Sequence, residues 1–208
     1  MRSREPKLSR PYHHGDLPAV LMSAAERILE RDGIQALTLR ATARAAGVSH
    51  AAPASHFGDL TGLLSELAAL GYRRFGKAVF EAMEAAGEDP RARMKAMGRA
   101  YVGFARKHPG LFSLMYRSER LDPARPALRD AIAEARSALR AAASARAQEQ
   151  PLPPLQTAAQ SAALWALVHG FAVLLIDGRL SALIASLPGE EGADTLLEAV
   201  LATARVGE

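Results

Sequence analysis

The chain contains no cysteine. That excludes disulfides, thiolate metal sites and a cysteine nucleophile, and it fits a reducing compartment. Clear strand alternation is also missing, so a sheet is not expected. No apolar core lies between Met1 and Leu17, so no secretory signal is expected there. The apolar run from Ala162 to Ile176 is too short to span a bilayer and includes His169. No nucleophile elbow, metal-ligand spacing or phosphate loop occurs. His108, His169, Asp177 and Glu134 assemble into no recognised catalytic pattern, and an enzyme is not expected. His13-His14 has no third ligand nearby and makes a poor metal site. No cofactor is implied.

What is present is helical. The 208 residues are 49% hydrophobic and rich in alanine, enough for one core, or one core with a small appended domain. Gly33, Gly47, Pro90, Pro109 and Gly110 fall between apolar segments as helix punctuation. An all-α fold follows. The net charge is +4 with a pI near 9.8, compatible with an anionic partner but equally with a plain solvated surface. Residues 1–11 hold Arg2, Arg4, Lys7 and Arg10 and read as a flexible basic arm, able to reach a phosphate backbone or simply to solubilise the terminus.

Asp16 is the expected N-cap of a first helix with Pro18 in its first turn. Leu17, Val20, Leu21, Ala24, Ala25, Ile28 and Leu29 share one helical face. Gly33 ends that helix, Thr38 caps a second, Ser49 a third, and Asp59 a long fourth running to about Ala86. Further helices are expected from about Asp89 to Lys107, over Leu111–Met115, from about Ala127 to Gln148, from about Gln156 to Ile176 and from about Asp194 to Val206. Leu121–Pro126 is a loop and Pro151–Pro154 a stiff break.

Within this pattern Thr38–Leu64 reads as two short helices joined by Ala46-Gly47-Val48-Ser49, then another helix. A helix-turn-helix places one short helix in the major groove of DNA. Gly47 accommodates a positive φ at the turn, and Val48 fills the space between the helices. Ser49 is placed to accept a backbone N–H of the next helix, and the outward positions His50, Ala51 and Ser55 could meet base edges or backbone, with Ala51 suited to a thymine methyl. An ordinary helical hairpin in a core satisfies the short turn motif equally well.

Residues from about Asp16 to Leu64 resemble the DNA-binding domain of TetR-family transcriptional regulators. The resemblance is carried by Ile28-Leu29 with Asp32-Gly33, Leu37-Thr38-Leu39-Arg40, Ala46-Gly47-Val48-Ser49, His56-Phe57 and Leu63-Leu64. Tyr12-His13-His14-Gly15-Asp16-Leu17, Phe104–Phe112 and Trp165–Gly170 resemble the branch with a Trp-His-Gly type C-terminal domain. The resemblance implies a cytoplasmic homodimer with a helix-turn-helix domain over residues 12–62 and a helical ligand-binding and dimerisation domain over residues 63–208. It implies a repressor released from a palindromic operator on double-stranded DNA by a small apolar effector.

Three positions depart from the family pattern. Ala54 stands where Tyr is usual, Ser55 where a basic or polar-aromatic residue is usual, and Leu60 where Lys is usual. In the family these positions serve the phosphate backbone, so weaker DNA binding is the expected consequence, and Thr38, Arg40, Arg44, His56 and the basic arm remain as phosphate candidates. Thr42 replaces a usual Ile or Val, and its hydroxyl needs a partner.

The candidate effector contacts are Met94, Met97, Tyr101, Phe104, Met115, Trp165 and His169. Met suits varied apolar ligands, and Trp165 and His169 share a helix face. The competing reading places most of them in the core. Ala159, Ala163, Ala166 and Gly170 form a small-residue stripe, the expected dimer contact, although it could also pack within the subunit. The alternative function is a dimeric helical ligand- or protein-binding module with weak or no specific DNA binding. No membrane association is expected.

Overall fold

A computed structural model describes residues 17–149, 153–187 and 192–203, with the side chains of residue 118 and of 138–149 not described. The Asp16 cap, the basic arm, Tyr12, His13 and His14 lie outside the described residues. Ten α-helices and no strand occur among the described residues, as the all-α expectation requires.

Three short elements form the N-terminal end: α1 (Leu17–Asp32), α2 (Leu39–Ala46) and α3 (Ala52–Phe57). On α1, Leu21, Ala24, Ala25, Ile28 and Leu29 are buried. Val20, expected on the same face, is 45% exposed; it falls at the edge of the apolar stripe, where the helix turns toward solvent. The Thr38 side chain accepts from the Ala41 N–H at 3.0 Å and caps α2, while Gly47 closes it with φ 68°. Thr42 is fully buried, and its hydroxyl donates to the Thr38 carbonyl at 2.9 Å. The helix thus supplies the partner that this hydroxyl needed.

Ser49 does not cap α3. The cap position is Ala51, with no side-chain hydrogen bond, and Ser49 contributes only its carbonyl to the Ala52 N–H. Pro53 is the reason. It has no N–H, and starting the helix at Ala52 puts that missing donor in the first turn, where no intrahelical acceptor awaits one. Pro53 therefore sits inside the first turn, and it is buried.

The Asp59 side chain accepts from the Gly62 N–H at 2.7 Å and starts α4 (Leu60–Ala85), which runs as one helix from the small N-terminal bundle into the rest of the chain. α5 (Pro90–Lys107) is capped by Asp89, α6 (Pro109–Met115) follows immediately, and a short 3-10 turn leads to α7 (Pro126–Glu149). α8 (Pro154–Ile176), α9 (Ser181–Ala185) and α10 (Ala193–Thr203) complete the fold. α9, five residues without a side-chain cap, has no counterpart in the sequence-based expectation.

Two apolar cores result. One joins Leu21, Ile28, Leu29 and Leu37 to Phe57, Leu63, Leu64 and Leu67, and also takes in Leu111, Leu114 and Leu128. The second gathers Phe75, Val79, Met83, Tyr101, Phe104, Phe112, Met115, Phe171, Leu197 and Leu201. α4, α6 and α7 each contribute to both cores and so join the two ends of the molecule.

α8 begins at Pro154, earlier than the apolar run alone suggested, and with 23 residues it is long and apolar enough to cross a membrane by length and composition. The expectation that this segment is too short for a bilayer is therefore corrected. A proline in the first turn extends a helix without cost. Only 17% of its most apolar window is buried within this chain.

Candidate DNA-reading surface and effector site

α2, the Gly47 turn and α3 place Thr38, Arg40, Arg44, Ser49, His50, Ala51, Ser55 and His56 at exposed positions of the same small unit. The Arg40 and Arg44 side chains have no ion-pair or hydrogen-bond partner among the described residues, whereas most other arginines near the core are paired. Free guanidinium groups on an exposed face bind phosphate without first breaking an internal contact. Ala54 is likewise exposed on α3. Leu60 is half-buried and packs on the first core, so a lysine at that position would lose apolar contact while gaining a cation.

The remaining candidates divide. Tyr101, Trp165 and His169 come together, and Tyr116 joins them although the sequence reading overlooked it. The Tyr101 hydroxyl lies 2.6 Å from the Tyr116 hydroxyl and 2.9 Å from Nδ1 of His169, and it accepts from the Trp165 indole N–H at 3.3 Å. Tyr101 has one proton to give, so it donates to His169 or to Tyr116 and accepts from the others. The His169 ring stacks at a tilt over Tyr116 with centroids 4.5 Å apart. Phe112 lies 5.7 Å from Tyr101, edge on.

This cluster is a polar network inside an apolar shell. Burial raises the Tyr101 and Tyr116 phenols above their ordinary range, and burial lowers His169. Tyr72 donates to the Met115 carbonyl at 2.9 Å, and burial pushes its phenol up to about 12. All three phenols and the imidazole are thus held neutral at ordinary pH. The arrangement offers hydroxyl and ring nitrogen partners next to aromatic faces, with Trp165 55% exposed at its edge.

Phe104 and Met115 are buried core residues, and Met115 packs where a side chain on Gly71 would otherwise stand. Met97 packs partly buried against the same core, and Met94 belongs to neither core. Tyr116 carried no sequence signal, because it lies on a different element and only packing brings it to Tyr101.

Ala159, Ala163 and Ala166 are exposed, Gly170 is half-buried, and a Cβ on Gly170 would meet nothing. With Leu155 81% and Leu174 41% exposed on the same helix, α8 shows an uncovered apolar face. No group of His, Asp and Glu that would hold a metal occurs among the described residues.

The fold and surface define a helix-turn-helix protein with a helical C-terminal domain behind it. Residues 21–67 match the family described as bacterial regulatory proteins, tetR family, and residues 94–202 match the family described as Tetracyclin repressor-like, C-terminal domain. The chain belongs to the TetR family of DNA-binding transcriptional regulators. A solved protein of unknown function from Rhodococcus sp. RHA1 is 35% identical, covering 94% of this chain and 97% of that one, with a TM-score of 0.75. The fold is also that of the TetR family regulator PfmR from Thermus thermophilus, at 21% identity, 90% and 97% coverage and a TM-score of 0.62. AibR, solved with isovaleryl coenzyme A and operator DNA, shares the fold at 15% identity, 90% and 97% coverage and a TM-score of 0.61. A comparison with curated proteins finds no match.

Proposed function

We propose that this regulator is a homodimeric repressor that leaves a palindromic operator when a small apolar effector binds. The observation that carries it is the exposed face of α2 and α3, where Arg40 and Arg44 stand unpaired beside His50, Ser55 and His56. Thr38, Arg40, Arg44 and His56 serve phosphates; His50, Ala51 and Ser55 face base edges; Ser49 stands in the turn that leads into α3. AibR, in complex with operator DNA and an acyl coenzyme A, supports the reading that one such fold can take both kinds of partner.

The reading head comprises residues 12–62 and the ligand-binding and dimerisation domain residues 63–208. The effector lies against Tyr101, Trp165 and His169, with Met97, Phe104 and Met115 in the core that backs them and Met94 outside that core. A dimer forms along α8 through Ala159, Ala163, Ala166 and Gly170, where small side chains permit close helix approach. The uncovered face of α8 is read as this contact rather than as a lipid-facing surface, which makes the protein soluble and cytoplasmic. Coupling requires that effector and DNA prefer different head spacings.

Selection of random duplex DNA by the purified protein at two salt concentrations, followed by sequencing, tests the reading. An enriched palindrome with half-sites one helical turn apart, about 34–36 Å, is expected. No enrichment at either salt overturns it in favour of a dimeric ligand- or protein-binding module. Ala54 and the half-buried Leu60 favour that second reading, since neither offers a phosphate contact.

A further inference from the structure

The loop between α6 and α7 reaches back to the end of the reading helix, and Arg125 makes the contact. Its Nε donates to Glu66 Oε1 at 2.8 Å, and its Nη1 donates to the backbone carbonyl of Phe57 at 3.3 Å. Phe57 is the last residue of α3, and the final carbonyls of a helix have no donor within it. Both charged side chains are largely shielded, at 23% and 25% exposure, so solvent weakens the pair less than it does at an open surface. Gly62 leaves the room: a Cβ there would stand 2.7 Å from Nη1 and collide with the Phe57 carbonyl.

The same loop is fastened a second time. The Asp122 N–H donates to Ser65 Oγ at 2.9 Å, and the buried Ser65 hydroxyl donates to the Thr61 carbonyl at 2.8 Å. The loop therefore sits on the first turns of α4, where α3 ends. α3 itself has six residues and no side-chain N-cap. So short a helix has little rigidity of its own and takes its orientation from what touches it.

We propose that Arg125 is a positioning residue for DNA reading: its planar guanidinium ties the end of α3 to Glu66 of α4, so that the C-terminal domain sets the angle of the reading helix. This rests on the proposed DNA-reading function. Arg125 contacts no base. It acts by holding α3 still, and in a dimer the angle of α3 decides which half-site spacing both heads can occupy. A lysine can satisfy Glu66, but a single ammonium lacks the fork geometry that spans a carboxylate and a carbonyl together.

The test uses the full-length protein and two readouts. Amide hydrogen exchange over residues 52–57 needs no DNA. In R125Q it is expected to quicken about tenfold, the equivalent of one lost charged hydrogen bond, while α1 exchanges as before. Unchanged exchange in α3 overturns the proposal. The second readout is binding to duplexes carrying the selected half-sites with spacers varied by single base pairs. R125Q is expected to lose the wild-type preference while keeping its salt slope, because Arg40 and Arg44 are untouched. R125K keeps a partner for Glu66 but not the Phe57 contact, so fast α3 exchange and lost spacing preference are expected to persist; wild-type values of both would overturn the role of the Phe57 contact. E66M/R125M removes the pair without leaving a lone charge, and it should show the same loss of selectivity with its fold intact. Wild-type protein that selects no half-site rejects the DNA-reading function, and the exchange result then still decides whether Arg125 holds α3.

Discussion

The hydroxyl of Tyr101 on α5 lies 2.9 Å from Nδ1 of His169 on α8, and the same hydroxyl also meets Tyr116 and Trp165. One phenol oxygen thus links three elements of the C-terminal domain.

His169 should leave a signature in the pH dependence of stability. Burial lowers its folded value below the ordinary one. As pH falls through about 6.5, the unfolded chain takes up a proton that the folded chain refuses. Stability is therefore complete above that point and declines on acidification until the lower folded value is passed. Thermal melting of H169Q across this window should fall less steeply than wild type. Parallel curves would show that the ring does not resist protonation.

Glu30 should matter to folding although it lies on the surface of the N-terminal unit. Its carboxylate accepts from the Gly110 N–H at 2.8 Å and the Leu111 N–H at 3.0 Å, joining α1 to the start of α6. E30A leaves two helix-terminal donors without this partner, a cost of about 1–3 kcal/mol. A melting temperature lower by about 2–4 °C per kcal/mol is expected for a chain of this size, with E30Q intermediate.

Ala163 tests the dimer. It is exposed on α8, so A163R should leave the fold of the subunit within about 0.5 kcal/mol of wild type. In a packed helix pair the same change inserts a charge where a methyl group fitted. Sedimentation velocity should show the wild type at twice the subunit mass and A163R at the subunit mass; a dimeric A163R would place the interface elsewhere.

Ala54 and Leu60 should separate two ways of strengthening DNA binding. A54Y adds a phosphate hydrogen bond at an exposed position and should tighten binding about three- to tenfold without changing the salt slope. L60K should steepen the slope by about one unit but lose about 1 kcal/mol of stability, since Leu60 packs on the core. Fluorescence anisotropy across a salt series, with melting curves beside it, reads both.

The legible parts were those decided within a few residues. Thr38 and Asp59 cap their helices as expected, because such a cap needs only a side chain and the N–H three residues on, and Gly47 ends α2 because it takes a positive φ. Ser49 obeyed the same local pattern and failed, because Pro53 moved the start of α3 beyond its reach. The C-terminal candidates were less legible. Tyr101, Phe104 and Met115 are all buried in the same core, and periodicity on one helix does not say that only the Tyr101 hydroxyl meets partners from other elements.

The sequence by itself determined the helical class, the turn at Gly47 and the membership of the helix-turn-helix unit, since periodicity, caps and a positive φ are properties of neighbouring residues. The tertiary structure alone decided that Tyr116 joins Tyr101 and His169, that Glu30 closes the start of α6, and that Arg125 reaches the end of α3. Those contacts span 15 to 81 positions of sequence, and a side chain acquires such a partner only when separate helices have packed.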